Sequence, residues 1–227
     1  MTPPEPDRVD PDPVDPDRVD RADVNSGGAG ESGVDAKSAM RRELRSARAA
    51  RDADARAADA ERLVGHLLGD QLLGLGPDVL VAAYVPAGTE PGSVEMLDAL
   101  RRRGARVIVP VIPPGEPAPL LWAEYRGPDS LMPSRFGIPA PAGPARTPDA
   151  LTDAQVVLIP ALGVDRTGVR LGRGAGYYDR SLHAATGAVL VAVVYDDEIL
   201  DALPHDDYDH PVTHVLTPSG GVRQLPL

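Results

Sequence analysis

Cysteine is absent from the 227 residues, and the chain has only one Phe and one Trp. Without cysteine there are no disulfides and no thiolate chemistry. Lysine is nearly missing as well: Lys37 stands alone against 22 arginines. Such a bias has no physical meaning at most positions, but it draws attention to the one lysine retained. No apolar run approaches the roughly 20 residues that span a bilayer. Clustered basic charge is also lacking, which argues against a nucleic-acid surface. The N-terminus is acidic and proline-rich, the opposite of a signal or transit peptide, so the cytoplasm is the expected compartment.

What is present is a large stock of Val, Leu and Ala, enough for a core without aromatics. The net charge is −11, and residues 1–36 carry −7 of it. Their imperfect repeat "DRVDPDPVDPDRVD" has several prolines and almost no bulky apolar residue. It cannot bury enough surface to offset its ordering entropy, so 1–36 is read as a disordered acidic tail and 37–227 as one domain.

From Lys37 a proline-free stretch rich in Ala, Leu, Arg and Glu reads as one or two helices, with a break near Asp52 or Asp54. Strands are expected at 79–86, 106–113, 120–125, 156–165, 188–196 and 214–218. Helices are expected at 92–105, capped by Ser93 and stopped by Gly104, and over "GYYDRSLHAAT". Continuous apolar strands alternating with helices imply a three-layer α/β/α domain with a mostly parallel, Rossmann-like sheet. Ligands of such sheets bind beyond the carboxyl ends of the strands. Two loops, "VPAGTE" and "RLGRGAGYYDR" (170–180), lie at such ends.

The second loop carries the chemistry. Gly172, Gly174 and Gly176 give G-x-G-x-G, whereas a dinucleotide fingerprint needs G-x-G-x-x-G, and Tyr177 stands at the third position. A P-loop needs Gly-Lys-Ser/Thr, which is missing. Glycines admit backbone N–H groups to an anion, and a following helix start favours negative charge. Arg170 and Arg173 can hydrogen-bond phosphate oxygens, and Asp179 can hold magnesium. The plain alternative is a glycine turn whose arginines pair with nearby carboxylates. For "HDDYDH" (205–210) the alternatives are a solvated acidic loop or, through His205 and His210, a transition-metal site. His66 and His183 read as structural or exposed.

"GVDRTGVRLGRGAGYYDR" (163–180) closely resembles the signature of the 5-formyltetrahydrofolate cyclo-ligase family. "KSAMRRELRSAR", "VAAYVPAGTEPGS", "LLWAEY", "FGIPAP" and "LPHDDYDHPVTHVLTP" resemble its other segments, in order, over about 37–218. The resemblance implies an enzyme that uses ATP and Mg2+ to convert 5-formyltetrahydrofolate to 5,10-methenyltetrahydrofolate, acting as a monomer without nucleic-acid or membrane partners. It implies ATP contacts from Lys37, Arg41, Arg170, Leu171, Gly172, Arg173, Gly174, Ala175, Gly176, Tyr177 and Tyr178. It places folate against Val85, Glu90, Trp122 and Tyr177, and magnesium on Asp179 and Asp209. Arg173, Tyr177 and Tyr178 would be the catalytic side chains. Trp122 reads equally as core. Three positions depart from the family pattern: Ala175, where members carry lysine or glycine, and Ala140 and Thr213, where acidic residues are common. Two other functions stay open: a nucleotide- or folate-binding regulator without turnover, and a phosphosugar isomerase-like enzyme on a related fold.

Overall fold

The computed structural model describes residues 30–69, 71–206 and 209–227. Two helices, α1 (Gly30–Ala49) and α2 (Ala53–Gly69), precede β1 (Leu80–Ala82), α3 (Val94–Arg102), β2 (Arg106–Val111) and β3 (Leu121–Glu124). Next come the paired short strands β4 (Leu131–Met132) and β5 (Ala140–Pro141), then β6 (Val156–Pro160), β7 (Gly163–Asp165), β8 (Arg170–Leu171) and α4 (Tyr177–Ser181). The last strands are β9 (Val189–Val193), β10 (Ile199–Leu200), β11 (His214–Thr217) and β12 (Gly221–Gln224).

Seven strands form the main sheet in the order β12-β11-β9-β6-β1-β2-β3. The five inner strands are parallel, and each edge strand is antiparallel to its neighbour. Both edges follow from connection length. The link from β2 to β3 is too short for a helical crossover, and β11 turns into β12 through "PSG". Side-chain alternation splits the core in two. Val81, Val156 and Leu158 face α2 and α3, where they meet Leu63, Leu67, Leu97 and Leu100. Ala82, Val157 and Ile159 face the opposite side, where short helical turns bring Leu151 and Leu182. The expected three-layer sheet is present, but its second helical layer is thin.

Local differences from expectation have identifiable causes. The expected disorder of 1–36 falls on 1–29, outside the described residues, and on 30–36, which open α1. No proline lies between Pro16 and Pro77, so none bars a helix from starting before Lys37. The expected helix break is real: Asp52 accepts the N–H of Asp54 at 2.8 Å and caps α2. Ser93 precedes α3 in extended conformation but makes no side-chain cap. The single strand expected at 156–165 is two. It breaks at Ala161–Leu162, where β7 leaves the main sheet to pair with β8 and β10. The helix expected over "GYYDRSLHAAT" is a five-residue α-helix followed by a 3₁₀ turn, too short to add much dipole.

Candidate functional site

A cavity of about 420 Å³ opens beyond the carboxyl ends of β1, β2 and β6. Its wall combines α1, the loop after β1, the 170–179 loop and the segment around Asp206 and Asp209.

Helical spacing explains what α1 contributes. Lys37, Arg41 and Arg48 lie 4 and 11 residues apart, close to whole turns, so they share one face, and all three line the cavity. Arg41 Nε donates to the carbonyl of Gly172 at 3.0 Å, and Arg45 donates to that of Arg173 at 3.0 Å. The helix thus holds the glycine loop by its outward carbonyls and leaves the loop's N–H groups to other partners. Lys37 Nζ donates to Asp206 at 2.8 Å and to Asp209 at 2.7 Å. Burial pulls its pKa down, but the two carboxylates outweigh burial and raise it, so Lys37 is charged throughout the working range.

The glycine loop leaves β8 and runs into α4. Gly174 and Gly176 have φ of 110° and 69°, backbone that side-chain-bearing residues rarely adopt. Arg170 is enclosed and pairs through Nη2 with Asp179 at 2.5 Å, while its Nε has no partner. The Tyr178 hydroxyl is likewise buried and unpartnered. Burial, then the nearby Glu90 charge, push its pKa far up, so it remains an O–H donor. Buried polar atoms are rarely left unmatched. Two at the rim of one cavity suit an anionic or oxygen-rich ligand.

Across the cavity the loop after β1 is pinned by the Tyr84 hydroxyl on the Pro91 carbonyl at 2.5 Å. It presents Val85 and Glu90. The Glu90 side chain is 8% exposed, accepts the Ala87 N–H at 3.0 Å and pairs with Arg173 at 3.1 Å. Burial raises its pKa, against the pull of Arg173, the Ala87 N–H and Arg48.

Most of the residues expected at the site converge on this cavity: Leu171, Gly172, Ala175 and Tyr177 line it together with those already placed. Trp122 does not. A residue of β3 itself, it is 0% exposed in the core, and its backbone pairs with Arg146, so the structure places it in the core and not at the expected folate contact. Both carboxylates expected to hold magnesium line the cavity, and each is paired with a cation. Among the described residues no group of three His, Cys, Asp or Glu side chains could hold a metal by itself. His183 packs edge-on to His210 at 5.4 Å. Ala140 lines the cavity, whereas Thr213 lies elsewhere and exchanges hydrogen bonds with Leu190. Among the described residues no helix is long and apolar enough to cross a membrane.

Residues 34–218 match the model of the 5-formyltetrahydrofolate cyclo-ligase family. The chain belongs to that family. Ligase activity on a reduced folate goes with membership. A 5-formyltetrahydrofolate cyclo-ligase of Mycolicibacterium smegmatis is 48% identical over 174 residues, 75% of this chain and 87% of that one. One from Escherichia coli is 32% identical over 143 residues, 61% and 78% of the two chains. The solved 5,10-methenyltetrahydrofolate synthetase of Aquifex aeolicus superposes with a TM-score of 0.68 at 27% identity, covering 83% of this chain and 92% of that one.

Two residues of the cavity wall, and a third in the turn before the glycine loop, were not legible beforehand. Arg48 sits in an arginine-rich helix that offers no reason to prefer it. Asp206 belongs to an acidic run. Asp165, in the family signature but given no role, organises the turn before the glycine loop. Its Oδ1 accepts the N–H groups of Thr167, Gly168 and Val169 and the Thr167 hydroxyl, and its Oδ2 accepts the Leu203 N–H. Burial raises its pKa, but the Thr167 hydroxyl and these backbone donors outweigh burial and lower it. A carboxylate whose folded pKa lies below its unfolded value stabilises the fold fully above about 3.9, and loses that contribution as pH falls through the folded value. Asp165→Asn is therefore expected to lower stability at pH 7 and to flatten the acid limb of a stability–pH profile measured by urea unfolding. An unchanged acid limb would contradict this role.

Proposed function

We propose that the protein closes 5-formyltetrahydrofolate to 5,10-methenyltetrahydrofolate at the expense of ATP and Mg2+, releasing ADP and phosphate, as a cytoplasmic monomer. The observation that carries this is the meeting of Lys37, the glycine loop and Glu90 around one cavity. A formamide oxygen is a poor leaving group, so its activation is the core of the chemistry. The formyl oxygen attacks the γ-phosphorus and the bond to ADP breaks. N10 then attacks the formyl carbon, phosphate departs with that oxygen, and N10 loses its proton.

Such chemistry needs positioning and charge neutralisation more than a protein nucleophile. Lys37, Arg41 and Arg170 supply positive charge along the triphosphate, and the N–H groups of Gly172–Gly176 bind its oxygens. Arg173 and the Tyr178 hydroxyl donate to the transferring phosphoryl group. Tyr177 walls the junction between the two substrates. Val85 packs on the pterin, and Glu90 accepts from its N–H edge. Asp179 and Asp209 offer oxygen donors only, which suits Mg2+, an ion that takes one or two carboxylates and otherwise water and phosphate oxygens. When bound it neutralises phosphate charge.

Purified protein incubated with 5-formyltetrahydrofolate and Mg-ATP is expected to generate methenyl absorbance. ATP binding without turnover would instead favour a regulatory protein. Asp179→Asn is expected to abolish turnover in a protein that remains folded by circular dichroism. Normal activity in that variant would remove Asp179 from the metal site.

A further inference from the structure

Arg48 is 2% exposed yet belongs to the cavity wall. Its guanidinium is fixed on one side only. Nε donates to Glu198 Oε1 at 2.6 Å, and Nη2 donates to Glu198 Oε2 at 2.7 Å and to the Ala161 carbonyl at 2.5 Å. Glu198 is itself held by the Tyr195 N–H at 2.8 Å. The hydrogen bonds to described residues use Nε and Nη2 and leave Nη1 out, and the guanidinium carbon lies 5.7 Å from the centroid of the Tyr195 ring. The Arg48 charge and that of Glu90 act on one another, and both border the same space beside Tyr84. A guanidinium in a cavity wall with N–H groups to spare can complete its hydrogen bonding on a ligand oxygen.

We infer that Arg48 reads the ring carbonyl oxygen of the substrate's pterin through Nη1, next to the N–H edge read by Glu90. The inference rests on the folate reading above. A lactam edge presents an N–H and a C=O side by side, and the cavity wall holds both a carboxylate, Glu90, and a guanidinium, Arg48. Arg173 is the weaker candidate for this oxygen: it is half exposed, and its Nη2 is on Glu90. Arg48 cannot swing away, because three hydrogen bonds hold it. Sites built to bond a polar group discriminate strongly against ligands that lack it.

The test compares 5-formyltetrahydrofolate with the otherwise identical compound bearing an amino group in place of the ring carbonyl. Their affinities are measured by calorimetry on the full chain and on Arg48→Met. The unaltered protein is expected to prefer the carbonyl compound by tenfold or more, and Arg48→Met to reduce that preference by about tenfold. Glu90 also discriminates, but equally in both proteins, so the change in the ratio isolates Arg48. Arg48→Met/Glu198→Gln removes the buried pair as a unit and gives the same ratio should the single variant not fold. An unaltered protein with no preference, or variants that weaken both ligands equally, would overturn the assignment and leave Arg48 structural. Failure of the folate reading looks different: the unaltered protein then binds neither compound and shows no turnover.

Discussion

Lys37→Met is expected to lower kcat/KM for ATP by about 100- to 1,000-fold, the order of loss when one preorganised donor to the reacting phosphates is removed. The side chain is poised for this role. It is nearly buried, permanently charged and held at 2.8 and 2.7 Å by two carboxylates at the cavity wall. Methionine keeps most of the length and removes the three donors. The fold should survive, since Asp206 is exposed and Asp209 keeps the Asp206 N–H at 2.9 Å. Steady-state kinetics with varied ATP, read beside a thermal melt, separate loss of function from loss of structure. Lys37→Arg keeps the charge but not the compact ammonium, so it is expected to retain only part of the rate. A Lys37→Met enzyme with unchanged kinetics would remove the lysine from the nucleotide site.

Glu198→Ala carries the largest expected cost in stability, about 3–5 kcal/mol, because it strands the Arg48 guanidinium in a buried site. For a chain of this size that loss lowers the melting temperature by roughly 6–20 °C. The Tyr195 N–H loses its acceptor as well. Arg48→Met/Glu198→Leu, which removes both charges together, is expected to lie much closer to the parent protein. Replacing a buried ion pair by packed apolar groups is often neutral. Differential scanning calorimetry of the two variants decides the point. Equal losses in both would mean that the pair acts through packing alone.

How far the sequence speaks depends on how its chemistry is concentrated. The glycine loop was legible because three alternate glycines, two arginines and two tyrosines in one stretch fit few alternatives. Lys37 was legible by its rarity. Trp122 was not, because a single aromatic in "LLWAEY" looks the same whether it packs in a core or on a ligand. Only the segment 146–151, which covers it, decides. The apolar runs specified strands but not their partners, so the antiparallel edges and the strand beginning at Gly221 went unseen. At the break, the Ala161 carbonyl accepts from Arg48, across 113 residues of chain. No local pattern encodes a contact of that range. Arg48 itself is hidden among the neighbouring Arg41, Arg42, Arg45 and Arg51.

The partners of α1 have a bearing on how the protein is made. Arg48 bonds residues 113 and 150 positions onward, Arg41 bonds one 131 onward, and Lys37 bonds residues 169 and 172 onward. At a synthesis rate of about 5–20 residues per second, this basic helix leaves the ribosome roughly 10–30 seconds before its last docking surface exists. During that wait its arginines and lone lysine stay in water, where they keep the helix soluble. The cavity is thus among the last of these contacts to form, and a nascent chain cannot complete its wall until Asp209 has been translated.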